Sequence, residues 1–133
     1  MAKAAKIKVL SFSADDKPEL QAAITGALVS AKVNILSVCS YSVEDTAYID
    51  IATDSNTNAK KALAKIGIKS EEDDAILVEM SNKPGELDKI GKALAGAGIN
   101  VEYIYGTTSS GRTSTCVMGA SDNRKALRIL AKA

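Results

Sequence analysis

Residues 75–101 read AILVEMSNKPGELDKIGKALAGAGINV, and this stretch decides the fold of the second half of the chain. It opens with an apolar, β-compatible run that ends before the Lys83-Pro84 dipeptide. Proline suits the first turn of a helix, and apolar residues then recur at helical spacing. Gly98 can supply the left-handed residue that ends this helix. The stretch therefore predicts a strand over 75–81, a helix, and a second strand over 99–107.

The first half of the chain repeats this order of residues about 66 positions earlier. Lys17-Pro18 aligns with Lys83-Pro84, and Val33-Asn34-Ile35 aligns with Ile99-Asn100-Val101. The alignment runs without a gap from about residue 7 to about residue 56. Because the matches fall at apolar positions and at turn residues, the two halves are predicted to share one backbone path.

Each half continues with two strands that form a hairpin and then with a short helix, which gives the order β-α-β-β-α. A further short strand over 66–69 is an option in the first half. This order is the ferredoxin-like split βαβ plan. The predicted fold class is therefore α+β, with two ferredoxin-like βαββαβ repeats packed side by side, residues 1–70 and residues 71–133. The second repeat lacks its last strand, so its sheet edge is left open, filled by a partner, or filled by another segment of the chain.

Local signals place the ends of these elements. Asp16 and Asn82 precede the two Lys-Pro dipeptides and are predicted helix N-caps. Residues 54–58 and 121–123 are predicted to cap the short helices. The acidic run over 70–74 is predicted to be a solvated linker between the repeats.

Composition excludes several functional classes. The 133 residues carry a net charge of +1, which favours neither nucleic acid nor an anionic membrane surface as a partner. Histidine is absent, so His general bases and His-containing metal sites are excluded, and no cofactor or metal is expected. The cysteines, Cys39 and Cys116, have no metal-binding spacing and are expected to be small buried side chains. No membrane span or signal-peptide pattern is present, which predicts a cytoplasmic protein.

The loop before the helix of the second repeat is the candidate site. A helix start offers free backbone N–H groups and a partial positive charge, which suit a carboxylate. Gly85 lets a ligand approach the backbone, and the amides of Asn82, Asn100 and Asn34 can accept hydrogen bonds from an ammonium group. These two chemistries together describe a free amino acid. The alternative is that proline and glycine only shape the turn and that the asparagines only cap.

The motifs Lys83-Pro84-Gly85-Glu86-Leu87 and Gly98-Ile99-Asn100-Val101 resemble those of the ACT domain family. The first repeat resembles the family more weakly, since Glu19 stands where the family has glycine, and the whole chain resembles a stand-alone tandem ACT protein. The resemblance implies a non-catalytic, allosteric regulatory module that binds an amino acid at the interface between ACT-like repeats. The ligand-binding residues that this reading assigns are Asn82, Lys83, Gly85, Glu86, Leu87, Asn100, Val101, Asp16 and Asn34. Its expected partners are a second copy of the chain, in a homodimer or larger assembly, and an enzyme of amino-acid metabolism.

Other functions on the same fold remain open. One alternative is a purely structural assembly domain, which differs from the regulatory module only in that it binds no ligand. An RNA-binding module would need more aromatic residues and a basic surface. An acyl-phosphate hydrolase would need an arginine in the first loop, and neither residues 14–18 nor residues 80–84 contain one. Residues 109–112 resemble a phosphate-binding nest, which a hairpin turn also explains.

Overall fold

A computed structural model describes residues 2–108 and 110–132, in which strands and helices follow the predicted order. In chain order the elements are β1 (Lys3–Asp15), α1 (Leu20–Ser30), β2 (Ile35–Val43), β3 (Thr46–Thr53), α2 (Asn56–Lys65), β4 (Glu71–Ser81), α3 (Glu86–Gly96), β5 (Val101–Thr108), β6 (Thr113–Ala120) and α4 (Asn123–Leu130). The α+β class and the β-α-β-β-α order of each half are confirmed. The helices of the described residues have at most 11 residues, and none has the length and apolar character that a membrane crossing requires.

The chain forms two compact units whose limits lie inside β1 and β4. The first unit is Lys8–Asp73, and the second unit combines residues 2–7 with residues 74–132. Residues 2–7, which the sequence assigns to the first repeat, thus pack with the second. Ala2 and Ala4 lie against the core of the second unit, so a segment that precedes the first unit in the chain contributes to that core.

The first unit is an antiparallel sheet in the order β2-β3-β1, covered on one face by α1 and α2. Period-two alternation turns Leu10 and Phe12 of β1 and Ile49 and Ile51 of β3 toward the helices, where they are buried. The helices contribute the other large members of this core, which are Ile24, Leu28 and Leu63.

The second unit repeats this arrangement with the order β4-β6-β5. Its strands turn Ile76, Val78 and Met118 toward α3 and α4, and Ile90, Leu94 and Leu130 complete the core. Fully burying a side chain of this size contributes about 1.5–3 kcal/mol. Each unit therefore has an apolar core of its own.

Details of the backbone repeat between the two units. A β-bulge interrupts the pairing of β2 with β3 between Ile35 and Ser37, and another interrupts β5 and β6 between Val101 and Tyr103. Lys32 and Gly98, at matching positions after α1 and α3, both have positive φ, at 57° and 72°. These irregularities occur at matching positions although the residues there differ. They support the prediction that the two units share one backbone path.

The gap-free alignment is wrong in its last part. Ile35 pairs with Thr53, whereas the matching Val101 pairs with Ala120, so the second unit has one extra residue in the turn between β5 and β6. The correct partner of Asn56 is therefore Asn123. Both amides bridge in the same way: Oδ1 accepts from the backbone N–H of Thr53 or Ala120, and Nδ2 donates to the carbonyl of Lys8 or Asp74.

The predicted N-caps are wrong for α1 and α3 and right for α2 and α4. The N-cap positions of α1 and α3 are Glu19 and Gly85, because an extra turn separates each strand from its helix. Ser55 and Asp122 cap α2 and α4, and their side chains accept hydrogen bonds from Asn58 N–H and Lys125 N–H.

The segment between α2 and β4 also differs from its prediction. Residues 66–69 form no strand, because Gly67 turns the chain with a φ of 81° and Ile68 packs into the core. The acidic run is not a linker, since β4 begins at Glu71. The side chains of residues 71–74 are exposed, as the prediction required, but Ser70 is buried and the backbone of residues 71–74 is extended.

We predict that residues 2–7 stabilise the second unit through one face only. Ala4 packs against the core, whereas its neighbour Ala5 is exposed. Ala4→Asp should lower the free energy of unfolding by about 1–3 kcal/mol, because it places a polar group against apolar side chains. The matched change Ala5→Asp should stay within about 0.5 kcal/mol. Urea denaturation of both variants measures this, and equal losses would contradict the packing of Ala4.

Candidate functional site

The loop from Asn82 to Leu87 is anchored to the hairpin of β5 and β6. The backbone N–H of Asn82 donates to the Arg112 carbonyl oxygen at 2.9 Å, and its Nδ2 donates to the Gly111 carbonyl oxygen at 3.1 Å. Gly85 has a φ of 93°, a left-handed conformation that disfavours other residues, and begins α3 there. Asn82 therefore positions the loop through its side-chain N–H group, which leaves its amide oxygen available as an acceptor.

A groove of about 370 Å³ lies between this loop and the hairpin, within the second unit. Leu87 lies at its edge with 53% of its surface exposed, and the exposed side chain of Ile104 lines it too. The remaining apolar lining comes from Met80 and Cys116, which belong to the core. The polar residues that line it are Asn82, Thr107, Thr108, Ser114 and Thr115.

Gly106 of β5 lets the two strands of the hairpin approach closely beside this groove. A Cβ atom at Gly106 would lie 2.3 Å from the Thr115 carbonyl oxygen and 2.8 Å from Cys116 Cβ. Both distances are far shorter than ordinary van der Waals contacts, so only glycine fits without a backbone shift. The corresponding residue of the first unit is Ser40, so this feature belongs to the second unit.

The start of α3 carries its own negative charge. Glu86 is 7% exposed, and its carboxylate lies 2.8 Å from the Lys89 ammonium group. The hydrogen bond from Lys89 is the main cause that holds the Glu86 pKa below its ordinary value, and it outweighs the opposing effect of burial. Asp88 adds a second carboxylate to the first turn. These charges offset the positive end of the helix dipole, which is the feature that would attract an anionic ligand.

Asn100 and Val101 lie at the other end of the second unit. The Asn100 N–H donates to Ser121 Oγ at 3.0 Å, and its carbonyl accepts from Ser121 N–H at 2.9 Å. Val101 pairs with Ala120, whereas the loop end of the sheet pairs Thr108 with Ser114. The length of β5, about 23 Å at 3.3 Å per residue, separates these ends. Within this unit the structure therefore does not bring Asn100 beside the 82–87 loop.

Asp16 and Asn34 are separated in the same manner in the first unit. The Asp16 N–H donates to the Asp45 carbonyl oxygen, at the turn that joins β2 and β3. The Asn34 N–H donates to Asp54 Oδ1 at 2.9 Å, at the opposite end of these strands. Both residues thus make backbone contacts that order turns. Lys83 is exposed, and its carbonyl accepts from the Glu86 N–H in the turn before α3.

Sequence reasoning missed a second cavity, which lies in the first unit and has a volume of about 410 Å³. Tyr41 and Tyr48 line it and stack with their ring centroids 5.6 Å apart. Beside them, Ser11 Oγ donates to Asp50 Oδ1 at 2.5 Å. The signal was present in the sequence, since Tyr48 and Asp50 alternate with apolar residues in β3 and so share one face.

The remaining candidate features have structural explanations. Ser109 of the 109–112 motif lies outside the described residues. Within the rest of that turn, Gly111 N–H donates to Thr108 Oγ1 and Arg112 N–H donates to Ser110 Oγ, as in an ordered hairpin turn. In the described part of the chain, no three His, Cys, Asp or Glu side chains are grouped as a metal ion would require.

Comparison with known protein families finds similarity in the second half of the chain. The ACT domain family model matches residues 75–133, which include the 82–87 loop and the groove. No curated protein sequence matches the chain. The family model thus supports the ACT resemblance of the second repeat.

Solved structures resemble the chain over almost its whole length. A protein from Bacteroides thetaiotaomicron has a TM-score of 0.90 at 22% identity, with 97% of this chain and 89% of that chain covered. The ligand-free regulatory subunit of aspartate kinase from Thermus thermophilus has a TM-score of 0.67 at 18% identity, with 99% and 95% covered. A C-terminal regulatory domain of aspartate kinase from Porphyromonas gingivalis W83 has a TM-score of 0.58 at 19% identity, with 99% and 96% covered. At such identities the likeness concerns the fold.

We predict that Glu86 makes stability depend on pH in the acid range. Because its folded-state pKa is lowered from 4.5, its contribution is complete above that value and is lost as the pH falls through the folded pKa. The melting temperature of the wild-type protein should therefore fall more steeply below pH 4.5 than that of Glu86→Gln. Calorimetry from pH 7 down to about pH 3 measures the difference.

The exposed pair of Asp88 and Lys92, at 2.8 Å, supplies the control. Asp88→Asn removes a carboxylate from the same turn of α3, but an exposed ion pair contributes little to stability. The pH profile of this variant should follow that of the wild type. A Glu86→Gln profile that also follows the wild type would show that Lys89 does not stabilise the carboxylate.

Proposed function

We propose that this protein is a non-catalytic regulatory module, a tandem ACT protein that binds a free amino acid and changes the activity of an enzyme of amino-acid metabolism. The observation that carries the proposal is the groove beside the 82–87 loop, because it lies in the segment that the ACT family model matches. A cytoplasmic location is part of the same proposal.

The groove has the size and chemistry for a small amphiphilic ligand. Its volume of about 370 Å³ is near the lower end of the range for small-molecule sites. Leu87 and Ile104 offer contacts to an aliphatic side chain. The amide oxygen of Asn82 suits an ammonium group, and the exposed Lys83 next to it suits a carboxylate.

The other assigned residues have different parts in this proposal. Gly85 and Glu86 set the shape and charge of the loop rather than touch the ligand. Asn100, Val101, Asp16 and Asn34 lie away from the groove within their own units, and they stay candidate ligand contacts at an interface between copies of the chain.

The groove chemistry favours binding over catalysis. Its one strong nucleophile is Cys116, and burial raises the pKa of that thiol above its ordinary value. A protonated thiol is a poor nucleophile, and the chain has no histidine to take its proton. The rival function is a structural assembly domain that binds no ligand, and ligand binding separates the two.

We also propose that the chain forms a homodimer through β2. This strand lies at the edge of its sheet, and several large apolar side chains along it are exposed. They are Leu36, Val38, Tyr41 and Val43. An exposed apolar edge strand offers unpaired backbone groups to a second copy.

We predict that one of the common amino acids raises the melting temperature and that Leu87→Gln abolishes most of this rise. A ligand at 100 times its dissociation constant stabilises the folded state by about 2.7 kcal/mol. Glutamine is the residue at the matching position of the first repeat, Gln21, so the fold should tolerate it. A thermal-shift screen of the twenty common amino acids, followed by calorimetric titration, measures both effects.

Val29→Gln is the control for that experiment. Val29 is an exposed aliphatic residue of α1, at 73%, that neither lines the groove nor belongs to β2. This variant should keep the ligand-induced rise. If no amino acid raises the melting temperature of the wild-type protein, the assembly-domain function replaces the regulatory one. If Leu87→Gln binds as tightly as the wild type, the ligand site lies elsewhere.

We predict that Val38→Lys turns the dimer into a monomer. A lysine on an edge strand opposes pairing of that edge, because the charge would have to be desolvated. Val29→Lys on α1 is the control, since Val29 is 73% exposed and lies outside β2. Light scattering after size exclusion at micromolar concentration distinguishes the two. A wild-type mass near 13.9 kDa would exclude the dimer.

A further inference from the structure

The cavity in the first unit lies on the face of the sheet that points away from α1 and α2. Its floor is formed by the stacked pair Tyr41 and Tyr48 and by Asp50, and we call this area the tyrosine face. Tyr41 and Tyr48 are directly opposite each other in the pairing of β2 with β3, and both remain exposed, at 57% and 42%. Half of the four tyrosines of the chain are thus placed in one cavity without being buried.

Asp50 is an unfavourable residue for its position. It lies in β3, which pairs on both sides, with Cys39 of β2 and Ser11 of β1 opposite it. Aspartate is among the residues most depleted in strands. Among residues 2–108 and 110–132, Asp50 forms no ion pair, and its polar partner is the Ser11 hydroxyl group.

The second unit shows that the fold does not require these residues. At the positions that match Ser11 and Asp50 it has Leu77 and Val117, and at those that match Tyr41 and Tyr48 it has threonines. Val117 is buried, and β-branched residues are the favoured choice in strands. The first unit therefore keeps a carboxylate where an apolar side chain would serve stability better.

Charged groups at the rim complete the cavity. Lys69 and Glu71 line it from the segment that leads into β4. Together with Asp50 they leave one more carboxylate than ammonium group around the two tyrosine rings. Burial, and to a lesser degree the neighbouring Asp50 charge, raise the pKa of the Cys39 thiol.

We propose that the tyrosine face binds a small organic cation, a ligand whose ammonium group pairs with Asp50 and lies against the Tyr41 and Tyr48 rings. A cation is attracted by the negative face of an aromatic ring, and a neighbouring carboxylate adds a direct charge interaction. Ser11 holds the carboxylate in place for this contact. The site lies in the first unit and is separate from the proposed amino-acid groove.

Cross-strand packing alone does not account for this face. Stacking of Tyr41 on Tyr48 stabilises the hairpin as a cross-strand pair. It gives no reason for a carboxylate next to the rings. A bound cation accounts for the rings and the carboxylate together.

Titration of the intact chain with choline tests the proposal, with amide chemical shifts as the readout. The control ligand is the uncharged alcohol that has carbon in place of the choline nitrogen, and sodium chloride keeps the ionic strength constant. Choline should bind in a saturable manner and shift the amide signals of Tyr41, Tyr48 and Asp50, while the uncharged alcohol should bind at least about tenfold more weakly. Equal binding of the two ligands, or no saturable binding of choline, would overturn the proposal.

Two variants locate the site. Asp50→Asn keeps an acceptor for Ser11 and removes the charge, so choline affinity should fall about fivefold to tenfold. Tyr48→Thr introduces the residue found at Thr115 and should weaken binding by a similar factor. Asp88→Asn, an equal change of charge in the second unit, should bind choline like the wild type. Unchanged affinity in folded Asp50→Asn, or in Tyr48→Thr if the first variant does not fold, would exclude the tyrosine face.

Discussion

Burial of one row of side chains on each strand is the constraint on which both units depend. In each unit two short helices cover a sheet of three main strands. Short helices are marginally stable alone, so each pair depends on packing against the apolar row of the sheet. In the first unit that row includes Leu10, Phe12, Ile49 and Ile51. Because side chains alternate along a strand, this requirement leaves the opposite row free to vary. The two units have used that freedom differently.

Much of the fold follows from the sequence because the signals are local. The apolar alternation, the Lys-Pro dipeptides and the polar residues before α2 and α4 each act over a few residues, and the structure has the elements they predict. The predictions that were wrong depended on contacts between residues that are distant in the sequence. Asp16 and Asn82 bind the backbone of the following hairpin rather than cap a helix, and β4 extends through the acidic run. The shift of register after the turn of β5 and β6 was hidden by one inserted residue.

The candidate site was predictable only in part for the same reason. The loop at Asn82 and Leu87 was found from its motif, and both residues line the groove. The other wall of the groove comes from the hairpin of β5 and β6, and no pattern in the loop indicates which residues of that hairpin face it. Asn100 follows the loop closely in the sequence. It lies at the other end of the unit, however, because α3 carries the chain from the loop to the far end of β5. Proximity in a motif therefore did not translate into proximity in space.

The assignment of residues 2–7 to the second unit bears on how the chain is made. The first unit, Lys8–Asp73, is continuous and has all its parts once residue 73 has left the ribosome. The second unit combines residues 2–7 with residues 74–132, so residues 2–7 must wait until α4 has been translated before that unit can form. We expect vectorial synthesis to give an intermediate in which the first unit is folded and residues 2–7 are still exposed. In this intermediate, residues 2–7 would be accessible to a chaperone or to another chain.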